Sequence, residues 1–263
     1  MIGFDPKMYK AGGLLKSPVD TRDWEIKEIL PLMAVEFPDN YQPDIPTFDQ
    51  KDSNECAACA FAAIDYTLNK KLSDLSEPLS PSSMYANRFP NELFEGMYIR
   101  SVMKKAVSDG IVRWSDFPGF YTLKEAIRLF NQNRDQLLEK CKEFTIDSFY
   151  TCSTEYEIMS ACYFGGGVEI GINVDQQYYH PDQNGSINMR YSGKSLGGHG
   201  NAIIGWRTRD SKQEYMIKNS WGEKYGENGN LFMTFDVLKS YLMDDMFVPV
   251  DNTSLSTIKD LIK

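Results

Sequence analysis

The chain has 263 residues and carries 28 basic against 37 acidic side chains, for a formal net charge of −9 at pH 7. The sequence contains no run of basic residues, so this charge argues against a nucleic-acid partner and against an anionic membrane surface. Hydrophobic residues make up 42% of the chain and aromatic residues 13%, which is enough for a sizeable core and excludes disorder over most of the length.

No segment is typical of export or of membrane insertion. The N-terminus lacks the basic and apolar stretches of a secretory signal peptide, and the longest apolar run, ILPLMAVEF, falls far short of a membrane span. The five cysteines are odd in number and irregularly spaced, unlike the framework of a secreted disulfide-rich protein. We therefore expect the protein to work in a reducing compartment.

Helical and strand patterns occupy different parts of the chain. Residues 1–20 are predicted to be an irregular arm, and residues 21–142 a helical lobe whose first long helix begins at Cys56. Residues 143–250 contain short β-type runs separated by Gly, Asn and Asp, with one interrupting helix. Helices first and strands second indicate an α+β protein with two lobes and a cleft between them.

Two cysteines, Cys56 and Cys59, stand where a polar loop turns into the alanine-rich helix. A structural zinc site needs four Cys or His ligands in paired spacing, and the two histidines, His180 and His199, lie far apart, so no metal or other cofactor is expected. A redox pair of this spacing belongs in a βαβ unit rather than at the start of a helix. Cys59 is explained as a small hydrophobic residue packed in the core, because it lies on the apolar stripe of the helix. Cys56 lies at the helix N-terminus instead, where the macrodipole favours a thiolate.

A thiolate nucleophile needs a base and a group that orients the base. His199, flanked by glycines and followed by an apolar strand, is the candidate base, and Asn219 at the end of the next strand can accept its ring N–H. Trp221, two residues later, is positioned to cover this hydrogen bond and exclude water. Each residue alone has an ordinary structural explanation, but together with Cys56 they form a Cys–His–Asn constellation.

The segments GGHGNAIIGW and KNSWGEKYGENG resemble the histidine and asparagine motifs of the papain-like cysteine peptidases. The separation of 199 − 56 = 143 residues between Cys56 and His199 falls within the roughly 130–150 expected for this family. The resemblance covers residues 16–250 and implies a papain-like two-lobe fold, with a helical N-terminal lobe, an antiparallel β-barrel-like C-terminal lobe and an active-site cleft between them. It also implies a peptidase that cleaves peptide or protein substrates through a thioester.

The resemblance also selects Cys56 as the nucleophile. Gln50 lies six residues before Cys56, at the position whose side-chain amide helps to form the family's oxyanion hole. Matching CAAC to the family's Cys-Gly-Ser-Cys would select Cys59 but would leave Gln50 three residues out of place. The alanine-rich sequence after the nucleophile resembles a bacterial and phage branch of the family. The substrate-binding residues assigned with this resemblance are Gly96, Met97, Gly198 and Trp221.

Two residues depart from the family pattern at important positions. Glu55 stands immediately before Cys56, where a small residue is usual and where a carboxylate should disfavour the thiolate. Met97 replaces the second of two glycines that align the substrate backbone, and its side chain is expected to narrow the cleft. These departures leave an alternative open, namely a weak or inactive scaffold with a structural role in a virus or phage particle. The expected location is therefore the cytoplasm or a virion.

The two ends of the chain bear on its control and its partners. About 16 residues precede the domain-like start, too few for a folded inhibitory prosegment, so control is expected to come from expression, compartment or a partner. Residues 251–263 carry apolar residues at helical spacing and are predicted to form a tail helix packed on its own domain. The alternative is that the N- and C-terminal tails dock a protein partner or an assembly.

Overall fold

The computed structural model describes residues 5, 9, 11–21, 23–29, 35–90, 92 and 94–251. The predicted tail helix lies outside these residues, except for its first position, Asp251. Among the helices of the described ranges, none combines the length and the apolar character needed to cross a bilayer.

The first half of the chain is helical. Its helices are α1 (Cys56–Ser73), α2 (Pro81–Ala86), α3 (Ile99–Ser108), α4 (Leu123–Gln132) and α5 (Arg134–Cys141). The alanine-rich α1 is buried from Cys56 to Leu68 and forms the centre of this lobe, and it ends at Asp74 in the left-handed conformation. Helices α4 and α5 are separate because Asn133 between them has a φ of −134° and a ψ of 33°, outside helical geometry.

The second half builds one antiparallel sheet flanked by α6 (Glu155–Phe164) and α7 (Phe235–Tyr241). Its strands are β1 (Ser148–Thr151), β2 (Val168–Val174), β3 (Gly197–Arg209), β4 (Lys212–Lys218), β5 (Asn230–Met233) and β6 (Leu242–Val250). They lie in the order β1-β6-β2-β3-β4-β5, so β1 and β5 form the two ends of the described sheet. The sheet is therefore open and does not close into the barrel-like lobe that the resemblance implied.

Strand β3 separates two apolar cores and joins the lobes. Ala202 and Ile204 belong with α1 to the core of the helical lobe, whereas Ile203 faces the opposite core beside α6. This division follows from the alternation of side chains along a strand. At its start, β3 lies against the first turn of α1, because Gly200 has no side chain: a Cβ there would lie 2.9 Å from the Ala57 nitrogen. This close approach brings the beginning of β3 to the beginning of α1.

Candidate active site

Cys56 is the first residue of α1, at the end that meets β3. The backbone N–H groups of Gly200 and Ala57 donate to its sulfur, and both bonds favour the thiolate. Gly200 directly follows His199 in β3, so the contact that holds the sulfur also brings the imidazole to the start of the helix. Two residues that are 199 − 56 = 143 positions apart in the sequence are thus neighbours in the fold.

Cys59 lies one turn further along α1 and has different surroundings. Its thiol contacts the Ser220 hydroxyl, and it is buried in the core of the helical lobe. Burial raises the pKa of the Cys59 thiol well above its ordinary value, and the nearby carboxyl of Glu55 adds to this rise. These surroundings suit Cys59 to packing more than to nucleophilic attack.

The imidazole of His199 is oriented by Asn219. Its Nε2 lies 2.7 Å from Asn219 Oδ1, which also accepts from the Ser220 backbone N–H at 2.7 Å and from Asn201 Nδ2 at 3.3 Å. Because two donors already converge on this atom, it must be the amide oxygen, and His199 Nε2 must carry a hydrogen. Nδ1 is then the basic nitrogen. It is buried and has no hydrogen-bond partner among the described residues, so its lone pair is free to take up a proton.

Two residues that the sequence analysis missed extend this arrangement. The Tyr178 hydroxyl donates to Asn201 Oδ1 at 2.8 Å, and Asn201 Nδ2 donates in turn to Asn219 Oδ1. Asn201 lies two positions after His199 in β3, and residues at that spacing share one face of a strand. This spacing is the signal that could have identified Asn201. Tyr178 carries no comparable signal, because it lies in the short 3₁₀ turn Gln176–Tyr179.

Trp221 lies against the imidazole of His199. The two ring centroids are 4.7 Å apart with an interplanar angle of 32°, and Tyr179 stacks on the indole at 5.0 Å. Trp221 is fully buried, so the indole keeps water away from the hydrogen bond between His199 and Asn219. A hydrogen bond in such a water-poor environment is electrostatically stronger than one in solvent.

Gln50 lies in the loop before α1 and is bonded to both lobes. Its Nε2 donates to the Ser53 carbonyl at 2.7 Å, and its Oε1 accepts from the Ser220 hydroxyl. The Gln50 backbone N–H also donates to the Ser220 carbonyl, at 2.9 Å. These bonds fix the side-chain amide. Because an amide nitrogen carries two hydrogens, the bond to Ser53 still leaves one N–H that can act beside the backbone N–H of Cys56.

The carboxyl of Glu55 is directed into the helical lobe. Its Oε2 lies 2.6 Å from the Ser82 hydroxyl of α2, and its Oε1 accepts from the Tyr121 backbone N–H at 3.2 Å. Burial raises the pKa of Glu55 to about 7, and the bond to Ser82 opposes this rise. The sequence had led us to expect a carboxylate here that works against the thiolate. Burial favours the neutral acid instead, which exerts no such effect at acidic pH.

The N-terminal arm passes between the lobes beside these residues. The Gly12 N–H donates to the Gly198 carbonyl at 2.9 Å, and Leu14 pairs with Gly198 in an antiparallel bridge. On the side of the helical lobe, a Cβ at Gly96 would overlap the Gly13 carbonyl. Two positions assigned to substrate binding, Gly96 and Gly198, therefore hold the chain's own arm.

The arm closes the cleft over the candidate catalytic groups. Cys56 and His199 are each 1% exposed. Leu14 is buried as well, and its side chain packs on Gly171. A Cβ at that glycine would lie only 3.0 Å from Leu14 Cδ2. Met97, expected to narrow the cleft, belongs with Leu14 to the apolar core of the helical lobe. Control was expected from expression, compartment or a partner, and the arm adds a blocking contact within the chain itself.

Polar contacts hold the arm on the far side of Leu14. The Ser17 N–H donates to Asp245 Oδ2 at 2.8 Å, and Lys16 forms an ion pair of 2.6 Å with Asp244. The second contact is exposed, so it contributes little to holding the arm in place. The bond to Asp245 is buried and fixes the direction in which the arm leaves the cleft.

Burial in this closed state favours the uncharged forms of both candidate catalytic groups. It raises the pKa of the Cys56 thiol to about 11, against the opposing effect of the N–H groups of Gly200 and Ala57. It lowers the pKa of His199 to about 4, against the opposing effect of the bond to Asn219. Because a neutral thiol is a poor nucleophile, the closed structure holds these groups in position in an unreactive form.

A family model described as papain family cysteine protease matches residues 46–249. The chain belongs to the papain family of cysteine proteases. The matched range spans both lobes and contains the whole arrangement around Cys56 and His199. The helices and the antiparallel sheet are those of the papain-like α+β fold.

Similar proteins come from animals and bacteria. The gut-specific cysteine proteinase of Caenorhabditis elegans is 31% identical over 90 residues, which cover 34% of this chain and 27% of that protein. Cathepsin B-like cysteine proteinase 3 of the same organism is 33% identical over 98 residues, covering 34% of this chain and 26% of its own length. The chain thus spans about a quarter of these curated relatives. Among solved structures, xylellain, a cysteine protease from Xylella fastidiosa, shares the fold with a TM-score of 0.73 at 20% identity, covering 92% of this chain and 96% of that one.

Proposed function

We propose that the protein is a cysteine peptidase in which Cys56 is the nucleophile, His199 the general base and Asn219 the residue that orients the imidazole. The observation that carries this proposal is the tautomer of His199. Its Nε2–H is held by Asn219 Oδ1 at 2.7 Å, which leaves Nδ1 as the basic nitrogen at the helix start that bears Cys56. A base with one nitrogen fixed and the other free to take up a proton is what acyl transfer from a thiol requires.

The reaction begins when the arm leaves the cleft. Water then reaches Cys56 and His199, and the cost that burial imposes on their charged forms falls. The thiol proton moves from sulfur to Nδ1 of His199, and Asn219 stabilises the resulting imidazolium by accepting from Nε2–H. Pairing of this kind can lower the pKa of a cysteine thiol to about 3–4.

The thiolate attacks the carbonyl carbon of the scissile peptide bond, and the carbonyl electron pair moves to oxygen. The Gln50 side-chain N–H and the Cys56 backbone N–H donate to this oxyanion, and one such donor is typically worth about 10²–10³ in rate. The tetrahedral intermediate then collapses: the C–N bond breaks, and His199 Nδ1–H protonates the leaving amine. The acyl group remains on Cys56 as a thioester, which water hydrolyses after His199 removes its proton.

Substrates are peptides or proteins that replace the arm in the cleft. The arm bonds to the Gly198 carbonyl and passes closely over Gly96, so these two backbones are the surfaces we assign to an extended substrate. Neither position has a side chain that would hold a substrate backbone away. Main-chain hydrogen bonds of this kind recognise an extended chain independently of its side chains.

We also infer that the chain belongs to the bacterial and phage branch of the family. The support is the alanine-rich sequence that follows Cys56 directly, together with the segment SPVDTRDW ahead of the helical lobe. The location that we propose with it is a reducing one, the cytoplasm or a virus particle, and the test is fractionation of the native host.

The test of the proposed function compares two cysteine variants. Cys56→Ala should abolish both hydrolysis of a peptide library and labelling of the full chain by iodoacetamide at mildly acidic pH, whereas Cys59→Ala should keep both. Labelling is located by mass spectrometry after long incubation, because the arm covers the thiol. If only Cys59→Ala lost labelling, the nucleophile would be Cys59 and the assignment to Cys56 would be wrong. Correct labelling without turnover of any peptide would favour an inactive scaffold.

A further inference from the structure

The buried carboxyl of Glu55 takes no part in the reaction described above, yet it belongs to the residue that precedes the nucleophile. Its Oε2 lies 2.6 Å from Ser82 Oγ, and the same Oγ lies 2.8 Å from the Gly119 carbonyl oxygen. Its Oε1 accepts from the Tyr121 backbone N–H at 3.2 Å. Glu55 thus ties the start of α1 to α2 and to the loop that leads into α4.

The hydrogens available at Ser82 show which form of Glu55 fits these contacts. The hydroxyl of Ser82 has one hydrogen, and the carbonyl oxygen of Gly119 can only accept. With an ionised Glu55, one of the two short contacts at Ser82 would join two oxygens without a hydrogen between them. With a proton on Glu55 Oε2, Glu55 donates to Ser82 and Ser82 donates to Gly119, so that every oxygen is satisfied. Full burial of Glu55 favours the same form, because burial disfavours the charged carboxylate more than the hydrogen bonds from Ser82, Ser53 and Tyr121 stabilise it.

We propose that Glu55 is a positioning residue that acts as a neutral carboxylic acid, donating its proton to Ser82 and so fixing the loop that presents Cys56. The inference rests on the role proposed for Cys56. Glu55 is the N-cap residue of α1, and its carbonyl accepts from the Cys59 N–H at 2.9 Å. Its carboxyl and the first turn of the helix are therefore held as one unit, which includes the backbone N–H of Cys56.

Ionisation of Glu55 would undo this arrangement. The titratable groups that face its carboxyl are Cys59 of α1 and Tyr85 of α2. Burial raises the pKa of Glu55 to about 7. Above that pH a carboxylate would compete with Gly119 for the single hydrogen of Ser82, and the contacts that fix the loop before Cys56 would weaken.

The first test needs no enzymatic activity. In Glu55→Gln the amide nitrogen can donate to Ser82 and the amide oxygen can accept from Tyr121, but the side chain cannot ionise. Unfolding by denaturant is measured on the full chain from about pH 5 to about pH 8. Wild-type stability should fall relative to Glu55→Gln as the pH rises from about 5 to about 7, and the difference should then level off. Parallel curves for the two proteins would overturn the proposal.

The matched control is Glu157→Gln, at a second buried acid in the other lobe. Glu157 Oε2 accepts from the backbone N–H groups of Ser153 and Thr154, at 2.7 and 2.9 Å. This variant should follow the wild-type pH dependence between about pH 5 and about pH 7, whatever its overall stability. A change in pH dependence equal to that of Glu55→Gln would show a general effect of removing an acid and would also overturn the proposal.

The second readout is the rate at which iodoacetamide labels Cys56. The ratio of the Glu55→Gln rate to the wild-type rate should rise several-fold as the pH passes about 7, whereas Glu55→Ala should be slow at every pH. If Glu55→Gln does not fold, Ser82→Ala is used in its place and should slow the labelling of Cys56 at every pH. Labelling of Ser82→Ala at the wild-type rate would contradict the proposal. A protein that hydrolyses no peptide but shows the expected stability difference would refute the peptidase function and leave the neutral Glu55 intact.

Discussion

Leu14 of the N-terminal arm pairs with Gly198, the residue immediately before His199, in an antiparallel bridge. The edge of β3 that a substrate backbone would use is therefore occupied by the chain itself. Leu14 is also buried against Gly171, so the arm holds both a main-chain position and a side-chain position in the cleft. If substrate uses the surface proposed above, the bound arm and the substrate compete for the same backbone.

Leu14→Asp should loosen the arm and expose Cys56. Burial of a leucine is worth about 1.5–3 kcal/mol, and the new carboxylate would also face Asp245, so labelling of Cys56 by iodoacetamide should accelerate about tenfold or more. The matched control is Leu15→Asp, the same substitution at the next residue, which is 47% exposed. Equal labelling rates in the two variants would show that Leu14 does not hold the arm in the cleft.

Acid should weaken the closed state through His199. Burial lowers the pKa of His199 from 6.5 to about 4, so folding keeps the ring neutral while the unfolded chain takes up a proton. The stabilisation is thus complete above about pH 6.5 and is lost as the pH falls toward about 4. The loss of unfolding free energy is about 2 kcal/mol at about pH 5. The free energy of unfolding should therefore drop more steeply between about pH 7 and about pH 5 in the wild type than in His199→Gln.

The control for this measurement is the second histidine, His180, which is exposed and lies at the end of a 3₁₀ turn. His180→Gln should keep the wild-type pH dependence of unfolding. If His180→Gln flattens the curve while His199→Gln does not, the acid sensitivity does not come from the buried imidazole.

The sequence could predict those parts of the site that depend on local pattern. Helix α1 begins at Cys56 because an alanine-rich segment follows a polar loop, and this was visible without the structure. The pairing of His199 with Asn219 was also anticipated from their places at a strand start and a strand end. Asn201 and Tyr178 were missed, because their contribution depends on which side chains meet across the sheet.

Other features depend on tertiary contacts that the chain pattern does not carry. Strand β6 contains Pro249, and a proline argues against a strand in the middle of a sheet. Among the described pairs, Pro249 lies opposite Phe149 of β1, beyond the part of β6 that pairs with β2, so it has a strand on one side only. The arm has no periodic pattern, and its position follows from the missing side chains of Gly96 and Gly198 in the two lobes. The sequence identifies these glycines, but not the segment that packs on them.

Asn219→Ala should lower kcat/KM by removing the partner of His199 Nε2–H. A hydrogen bond to a charged group is worth about 1.5–3 kcal/mol, so the expected loss is roughly 10- to 100-fold. Asn219→Asp should keep most of the orientation, because a carboxylate oxygen also accepts from the ring and from the Ser220 N–H. It should also raise the pKa of His199 by adding a negative charge. An alanine variant as active as the wild type would exclude an orienting role for Asn219.

Gln50→Ala should separate hydrolysis from alkylation. Peptide hydrolysis passes through an oxyanion and should slow about 10²- to 10³-fold without the side-chain donor, whereas displacement of iodide from iodoacetamide forms no oxyanion. Labelling of Cys56 should therefore stay within a few-fold of the wild type. Ser220→Ala is the matched control, because it removes the hydroxyl that donates to Gln50 Oε1 and contacts the Cys59 thiol but keeps the side-chain N–H donor and its bond to Ser53, so it should cost far less in kcat/KM. If Gln50→Ala slows alkylation as much as hydrolysis, Gln50 acts by holding the loop around Cys56 rather than by stabilising the oxyanion.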